Sequence, residues 1–209
     1  VGFMSDAKVL NSPKIRIILQ LILALTLVYI LKLEVTPTRI AILDSFLKYQ
    51  LISFGFTTFC ILILVNGCNF IDGMNGLLLG YFILVLFTLN HTDLLSNLNF
   101  NKNFSFYIGA SLSILLLLNF LNLFYLGDGG SYLIGFLIGC LLIFIYNNSI
   151  FISPFFIILL LWYPCFENLF SIVRKNKFKN SPIEADNKHL HQLLFYFLRK
   201  NIKLGSVYV

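Results

Sequence analysis

Long apolar runs separated by short polar segments dominate the pattern of this 209-residue sequence. Inside a bilayer a helix satisfies its own backbone hydrogen bonds, and about 20 mostly apolar residues suffice to cross the hydrocarbon core. The pattern predicts an all-α, polytopic transmembrane helical bundle with about six crossings and polar loops between them. The predicted helices are Ile15–Leu33, Gln50–Val65, Met74–Asn90, Phe104–Leu121, Tyr132–Tyr146 and Ile152–Ser171.

The last two predicted helices come from one uncharged stretch, residues 129–166, which is too long for a single crossing. Asn147, Asn148, Ser149 and Pro154 divide it, because these residue types favour turns over helix interiors. We expect residues 1–209 to form a single transmembrane domain, a fragment of a longer protein that is truncated at both ends.

The composition agrees with a membrane protein. Charged residues make up 11% of the chain, against about 25% in a soluble domain. The net charge of +6 does not indicate nucleic-acid binding, because its densest cluster follows an apolar run, where basic residues orient helices in a bilayer. That cluster is Arg174, Lys175, Lys177 and Lys179. We therefore expect the chain to contact a membrane and no nucleic acid.

The chemically unusual residues gather on one predicted face of the bilayer. Six crossings place four polar segments on this side: before the first helix, between the second and third, between the fourth and fifth, and after the sixth. The positive-inside rule assigns this side to the cytoplasm. A carboxylate close to the hydrocarbon is costly and is therefore a functional candidate. The residues concerned include Asp6, Asp72, Asp128, His189 and His191.

The residue types on this face suit a magnesium site. Mg²⁺ binds proteins through one or two carboxylates together with substrate phosphates. Asp128 stands between Gly127 and Gly129 where the fifth helix opens, and the free amides of a helix start attract anions. Histidines and lysines of the last loop can stabilise the charge that develops in phosphoryl transfer. The sequence therefore predicts Mg²⁺ and a phosphorylated substrate.

Three motifs resemble those of one known family. Residues 66–77, Asn-Gly-Cys-Asn-Phe-Ile-Asp-Gly-Met-Asn-Gly-Leu, resemble the N-x-x-N-x-x-D-G-x-D-G-L signature of polyprenyl-phosphate N-acetylhexosamine-1-phosphate transferases. Residues 126–131, Leu-Gly-Asp-Gly-Gly-Ser, are similar to that family's F/L-G-D-x-G-S loop, and residues 186–192, Asp-Asn-Lys-His-Leu-His-Gln, resemble its D-R-x-H-L-H-H motif. Ser5 and Asp6 stand where the family has an Asp-Asp pair. The resemblance covers nearly the whole chain.

This resemblance implies an Mg²⁺-dependent enzyme with two substrates, a UDP-N-acetylhexosamine and a polyprenyl phosphate of the undecaprenyl type. The lipid phosphate attacks the sugar-linked phosphate, a polyprenyl diphosphate-sugar forms and UMP leaves. N-acetylglucosamine-1-phosphate is the expected group. The reaction would be the first membrane step of a cell-envelope polysaccharide pathway, such as cell-wall, lipopolysaccharide or O-antigen synthesis.

The matching positions imply roles for individual residues. Asp128 and Asn69 ligate Mg²⁺, Asp72 and Asn66 shape the nucleotide site, and Asp6 activates or positions the lipid phosphate. The two histidines hold the phosphate or sugar of the donor. The catalytic candidates are thus Asp6, Asp72, Asp128 and His189. The substrate-binding candidates are Asn66, Asn75, His191 and Lys188.

Four positions depart from the family pattern. Ser5 and Asn75 each replace an aspartate, Asn187 replaces an arginine and Gln192 replaces a histidine. The first two remove negative charge from a site expected to hold a metal, and loss of one electrostatic group in a catalytic site commonly lowers the rate about 10²–10³-fold. An altered donor specificity, a weakened enzyme and an inactive remnant are all open on the sequence.

Two other functions compete with the transferase. A secondary transporter would use Asp72 and Asp128 for ion coupling, although such sites lie near the bilayer midplane and these residues fall at predicted helix ends. A prenyltransferase of the N-D-x-x-D type would need a paired aspartate that the central segment lacks. Glu167, near the end of the sixth predicted helix, is interpreted only as an ion-pair partner of Arg174.

Overall fold

The computed structural model describes residues 1–92, 94, 102–149, 152–177 and 189–202. Within these ranges the chain is helical and forms no strands. The helices are α1 (Gly2–Asp6), α2 (Pro13–Leu31), α3 (Ala41–Leu47), α4 (Gln50–Ile71), α5 (Leu77–His91), α6 (Lys102–Phe120), α7 (Gly127–Asn148), α8 (Pro154–Leu160), α9 (Trp162–Lys177) and α10 (Leu190–Ile202).

The predicted all-α membrane bundle is confirmed. Helices α2, α4 and α7 are each long and apolar enough to cross a membrane, and the bent pair α8 and α9 is a fourth candidate span. Helices α5 and α6 are apolar but shorter over their described residues. Helix α4 continues to Ile71, beyond the predicted end at Val65, and α7 begins at Gly127 rather than at Tyr132. Both extensions carry helix into the polar motifs.

The prediction of one continuous helix from Ile152 to Ser171 is wrong. Helices α8 and α9 meet at Leu161 with a bend of 77°. In a continuous helix, Pro164 would have no N–H to donate to the Leu160 carbonyl, and the proline ring would press against that carbonyl. In the structure Pro164 lies in the first turn of α9, where N–H groups have no intrahelical partner. The freed Leu160 carbonyl accepts the Tyr81 hydroxyl at 2.6 Å.

Helix α4 is the centre of the bundle and packs against α2, α7 and α9. Two glycines allow α9 and α7 to approach α4 closely. A Cβ on Gly67 would lie 2.1 Å from the Pro164 carbonyl oxygen, and one on Gly135 would lie 2.8 Å from Cys68 Sγ. Larger residues at these positions would therefore push α9 and α7 away from α4.

Most of the outer surface is apolar, as expected where helices face lipid. Large side chains such as Leu51, Phe87 and Leu123 are exposed, and only 17% of the apolar stretch of α2 is buried. Polar residues instead collect where the C-terminal end of α4 meets the N-terminal end of α7. The short helix α1 packs on the same end of α7, so the fold brings the first residues of the chain to this point.

Candidate functional site

Asp128 is the centre of a hydrogen-bonded group at the start of α7. Its Oδ2 accepts the Ser5 hydroxyl at 2.6 Å and Arg16 Nη1 at 2.7 Å, and its Oδ1 accepts the Asn69 amide at 2.7 Å. Arg16 also donates to Ser5 Oγ at 2.7 Å. The Asp128 side chain is 23% exposed, so the carboxylate remains open to a ligand.

The helix start that presents Asp128 is capped from a distant part of the chain. The Asp6 carboxylate accepts the backbone N–H groups of Asp128 and Gly129, both at 2.9 Å. A carboxylate is favourable there because these N–H groups lack helical partners and carry the positive end of the helix dipole. Gly127 opens the turn with φ +64°, and a Cβ on Gly2 would lie 2.5 Å from the Asp128 carbonyl oxygen. Asp6 therefore positions the Asp128 loop.

Asp72 terminates α4 on the same side of the bundle. Burial, and then the charges of Asp128 and Asp6, raise the pKa of Asp72 from 3.8 to about 7. In the described part of the chain, no side chain donates a hydrogen bond to its carboxylate. Three aspartates thus concentrate negative charge at one end of the bundle, with the Arg16 guanidinium as the cation in contact with Asp128.

Asn66 and Asn75, two predicted substrate-binding residues, have partners outside the Asp128 group. Asn66 lies on the last turns of α4 and donates to Gln20 Oε1 at 3.1 Å. The Gln20 Nε2 atom is buried and has no partner among the described residues. Asn75 is exposed and donates to Asn122 Oδ1 at 2.7 Å, joining the start of α5 to the end of α6. Their contact with a substrate stays a prediction.

The two histidines are buried beside the end of α4. The His189 ring stacks on Phe70 with centroids 5.0 Å apart, and on His191 with centroids 5.8 Å apart. His191 Nδ1 is 3.1 Å from the Tyr163 hydroxyl. Burial, followed by the neighbouring His189, lowers the pKa of His191, which favours its neutral form.

The His191 ring also faces the turn that follows Asp72. Its Nε2 atom is buried without a partner in the described structure, and a Cβ on Gly73 would lie 2.9 Å from it. The glycine at position 73 therefore leaves room for this nitrogen. The geometry brings the histidine segment and the Asp72 turn together although Asp72 and His191 are 119 positions apart in the sequence.

Glu167 is a site residue that the sequence interpretation missed. It is only 1% exposed. Its carboxylate accepts the Leu190 backbone N–H at 2.8 Å and lies 2.8 Å from His189 Nδ1. The interpretation as a simple partner of Arg174 overlooked both contacts. The available signal was a single carboxylate in an apolar run, the same criterion that selected Asp72 and Asp128.

Lys188, the remaining predicted substrate-binding residue, lies outside the described residues, as does Asn187. Gln192 is described, and its side-chain oxygen accepts the His189 backbone N–H at 3.3 Å. The residue that replaces the last histidine of the motif thus supports the turn that carries the first one.

The chemistry of the donor set fits Mg²⁺. Asp128 and Asn69 offer the hard oxygen atoms that Mg²⁺ prefers, and uncompensated negative charge at Asp72 favours a nearby cation. Among the described residues no group of three histidine, cysteine, aspartate or glutamate side chains is arranged as a metal site. Few protein ligands are normal for Mg²⁺, which keeps waters and substrate phosphates in its shell. Arg16 would share Asp128 with the ion.

Comparisons with known proteins point in one direction. Residues 1–146 match the family described as Glycosyl transferase family 4. The chain is 27% identical over 199 residues to a Bacillus subtilis (strain 168) protein named "Probable undecaprenyl-phosphate N-acetylglucosaminyl 1-phosphate transferase". That alignment covers 94% of this chain and 55% of the relative, so the chain spans little more than half of the relative's length. No solved structure matches the chain.

Proposed function

Because the chain belongs to glycosyl transferase family 4, we propose that its protein transfers N-acetylhexosamine-1-phosphate from a UDP-sugar to a polyprenyl phosphate. N-acetylglucosamine is the proposed sugar, and the active site faces the cytoplasm of a bacterial inner membrane. One observation supports this most strongly. Three aspartates, a guanidinium and two histidines meet at one end of a membrane bundle, where a soluble anionic donor and a lipid phosphate can both reach them.

In the proposed reaction an oxygen of the lipid phosphate forms a bond to the sugar-linked phosphorus of the donor. The bond from this phosphorus to the bridging oxygen breaks, and that oxygen leaves with UMP. Because little covalent chemistry falls to the protein in phosphoryl transfer, positioning and electrostatic stabilisation supply most of the catalysis. Mg²⁺, when bound, would neutralise charge on the diphosphate.

The protein's own residues supply three functions in this proposal. Asp128 and Asn69 hold the ion, and Asp6 fixes the loop that presents Asp128. Arg16 offers a guanidinium that can pair with a phosphate as well as with Asp128. The histidines bind the donor from the side of Gly73. Ser5 takes the place of an aspartate by donating to Asp128 rather than repelling it.

A label-transfer assay tests this function. Membranes with the full-length protein are incubated with undecaprenyl phosphate, Mg²⁺ and UDP-N-acetylglucosamine labelled with ³²P at either phosphate. Label at the sugar-linked phosphate should enter the organic-extractable lipid, and label at the other phosphate should leave as UMP. UDP-glucose is the matched donor control. Absence of labelled lipid with every UDP-N-acetylhexosamine would overturn the proposal and would favour the interpretation that the protein is an inactive remnant of the family.

A further inference from the structure

Glu167 is the most deeply buried acidic side chain in the described part of the molecule, and its position requires an explanation. It lies in α9, after the break at Leu161, and is 1% exposed. A buried carboxylate is strongly destabilising unless charge partners or hydrogen bonds compensate for the lost water. Both Glu167 oxygens are engaged, Oε2 by His189 Nδ1 and Oε1 by the Leu190 backbone N–H. The carboxylate therefore fixes one side chain and one stretch of backbone together.

The backbone contact anchors the helix that follows the histidine motif. Leu190 is the first residue of α10, and its N–H is one of the groups that a helix leaves without an internal partner. Glu167 accepts this N–H from another helix, 23 residues earlier in the chain. The start of α10, and with it His189 and His191, is thereby fixed relative to α9.

The side-chain contact determines where the proton of His189 resides. An ionised carboxylate is only an acceptor, so with Glu167 ionised the 2.8 Å contact places a proton on His189 Nδ1. In histidine the hydrogen bond made by one ring nitrogen sets the state of the other. Phe70 and His191 both stack against the His189 ring, so the ring has little freedom to turn. Nε2 is then the ring nitrogen left for another partner.

The charged and titratable groups around this ring come from two helices, α9 and α10. Glu167 lies on α9 and His191 on α10. Lys175, also on α9, places its Nζ 5.9 Å from the centre of the Phe70 ring of α4. Glu167 is the group among these that accepts a hydrogen bond from His189.

We propose that Glu167 is a positioning residue that holds His189 with its proton on Nδ1 and so directs Nε2 to the phosphate or sugar of the donor. This inference rests on the proposed function for the identity of the ligand, whereas the state of the ring follows from the contacts alone. Glu167 acts through His189 and does not itself contact substrate.

The decisive variant is Glu167→Gln, which keeps the size of the side chain. An amide keeps an acceptor oxygen at only one of the two positions, so with its oxygen on the Leu190 N–H its NH₂ group faces His189 Nδ1 as a donor. We expect the KM for UDP-N-acetylglucosamine to rise about tenfold, with the KM for undecaprenyl phosphate unchanged. Glu167→Asp keeps the charge and should recover part of the loss. Glu34→Gln, which removes a carboxylate away from the site, is the matched control and should have no effect.

Coupling to His189 distinguishes positioning from general stabilisation. If Glu167 acts through His189, then Glu167→Gln should add little to the defect of His189→Gln, since residues that work as a unit are not additive. Fully additive effects on KM would overturn the proposal. Equal rises in the KM of both substrates would also overturn it, because they would indicate a general loss of structure.

The proton itself can be located without any turnover. In protein labelled with ¹⁵N-histidine, the His189 signals are assigned as those lost in His189→Gln. We expect a protonated Nδ1 in the wild-type protein, and a shift of the proton towards Nε2 in Glu167→Gln. An unprotonated Nδ1 in the wild type would overturn the proposal even if the variant fails to fold. A protein with the expected Nδ1 proton and no transferase activity would instead contradict the proposed function.

Discussion

Asp44 and Asp72 lie at opposite ends of the bundle, and their surroundings shift their pKa values in opposite directions. At the end near α3, Asp44 Oδ1 accepts the Thr38 hydroxyl and the Thr38 backbone N–H, each at 2.7 Å. These hydrogen bonds hold the pKa of Asp44 below its usual range. At the other end, burial and two neighbouring carboxylates raise the pKa of Asp72 to about 7.

Helix α7 runs from one end of the bundle to the other, so its length gives the distance between the two ends. Its 22 residues extend about 33 Å at 1.5 Å per residue, from the Asp128 turn to a loop fixed by hydrogen bonds. There Tyr146 donates to the Pro37 carbonyl and Arg39 donates to the Ile152 carbonyl at 3.1 Å. The loop thus has its polar groups satisfied by the protein itself.

The comparison separates a carboxylate that is satisfied by its own loop from the carboxylates assigned to the proposed site. Asp44 completes a loop and needs no further partner, so it stabilises the fold. Asp72, Asp128 and Asp6 concentrate charge that the protein only partly compensates, and that arrangement favours a cation and an anionic ligand. The following substitutions test this distinction.

The largest effect is expected at Asp128. Asp128→Asn removes the charge that the proposed ion requires and leaves the side chain almost unchanged in size, so label transfer should fall at least about 10³-fold. Asp44→Asn is the matched variant at the other end and should keep activity near that of the wild type. Both are measured in the same membrane assay. Similar activities of the two variants would contradict the assignment of function to only one end.

Asp72→Asn should separate activity from stability. Activity should fall about 10²-fold, because a charge of the site is lost. The apo protein should become more stable, with an unfolding temperature a few degrees higher in detergent with EDTA, since a buried carboxylate under repulsion is removed. A lower unfolding temperature at pH 8 would show that the carboxylate contributes to the fold.

The pH dependence of this stabilisation has a definite sign. The pKa of Asp72 is raised from 3.8 to about 7 by folding, so the folded state binds its proton more tightly than the unfolded state. Wild-type stability should therefore rise as pH falls through 7, while Asp72→Asn lacks this contribution. The difference between the two unfolding temperatures should be largest at pH 8 and shrink towards pH 5. A constant difference would argue against a raised pKa.

The bundle itself was largely predictable, because long apolar runs in this chain leave helices as the available structure. The bend between α8 and α9 was not predicted, since hydropathy is continuous through Leu161 and Trp162. Its cause lies in backbone chemistry at Pro164, and the freed Leu160 carbonyl finds Tyr81 from a distant helix. Sequence spacing carries no record of that partner.

The sequence predicted the location of the site better than it predicted which side chains contact one another there. Counting the membrane crossings predicted that Asp6, Asp72 and Asp128 lie at one face of the bilayer. The motifs added Asn69, which does contact Asp128. The partners Arg16 and Glu167 were missed for one reason: each reaches the site from another helix. Which helix faces meet depends on packing in three dimensions, through close approaches such as that at Gly67.

A smaller effect is expected when charge is added to the site. Ser5→Asp replaces a donor to Asp128 by a second carboxylate, and cation affinity rises with the number of charged ligands. The Mg²⁺ concentration for half-maximal activity should fall about fivefold. Ser5→Asn, of equal size and without charge, is the control and should not lower it. Identical Mg²⁺ titrations of the two variants would mean that charge at position 5 does not reach the ion.

The smallest effect is expected at Asp44, where the comparison began. Asp44→Ala removes the acceptor of two hydrogen bonds from Thr38, one from its backbone N–H and one from its hydroxyl. The unfolding temperature should fall by about 2–4 °C, with label transfer unchanged. Thr38→Val removes the hydroxyl donor only and should give a smaller fall, and the double variant should add nothing to Asp44→Ala because both break the same contact. Loss of transfer in Asp44→Ala would mean that the two ends of α7 are coupled, and that a carboxylate satisfied by its own loop can still control a site about 33 Å away.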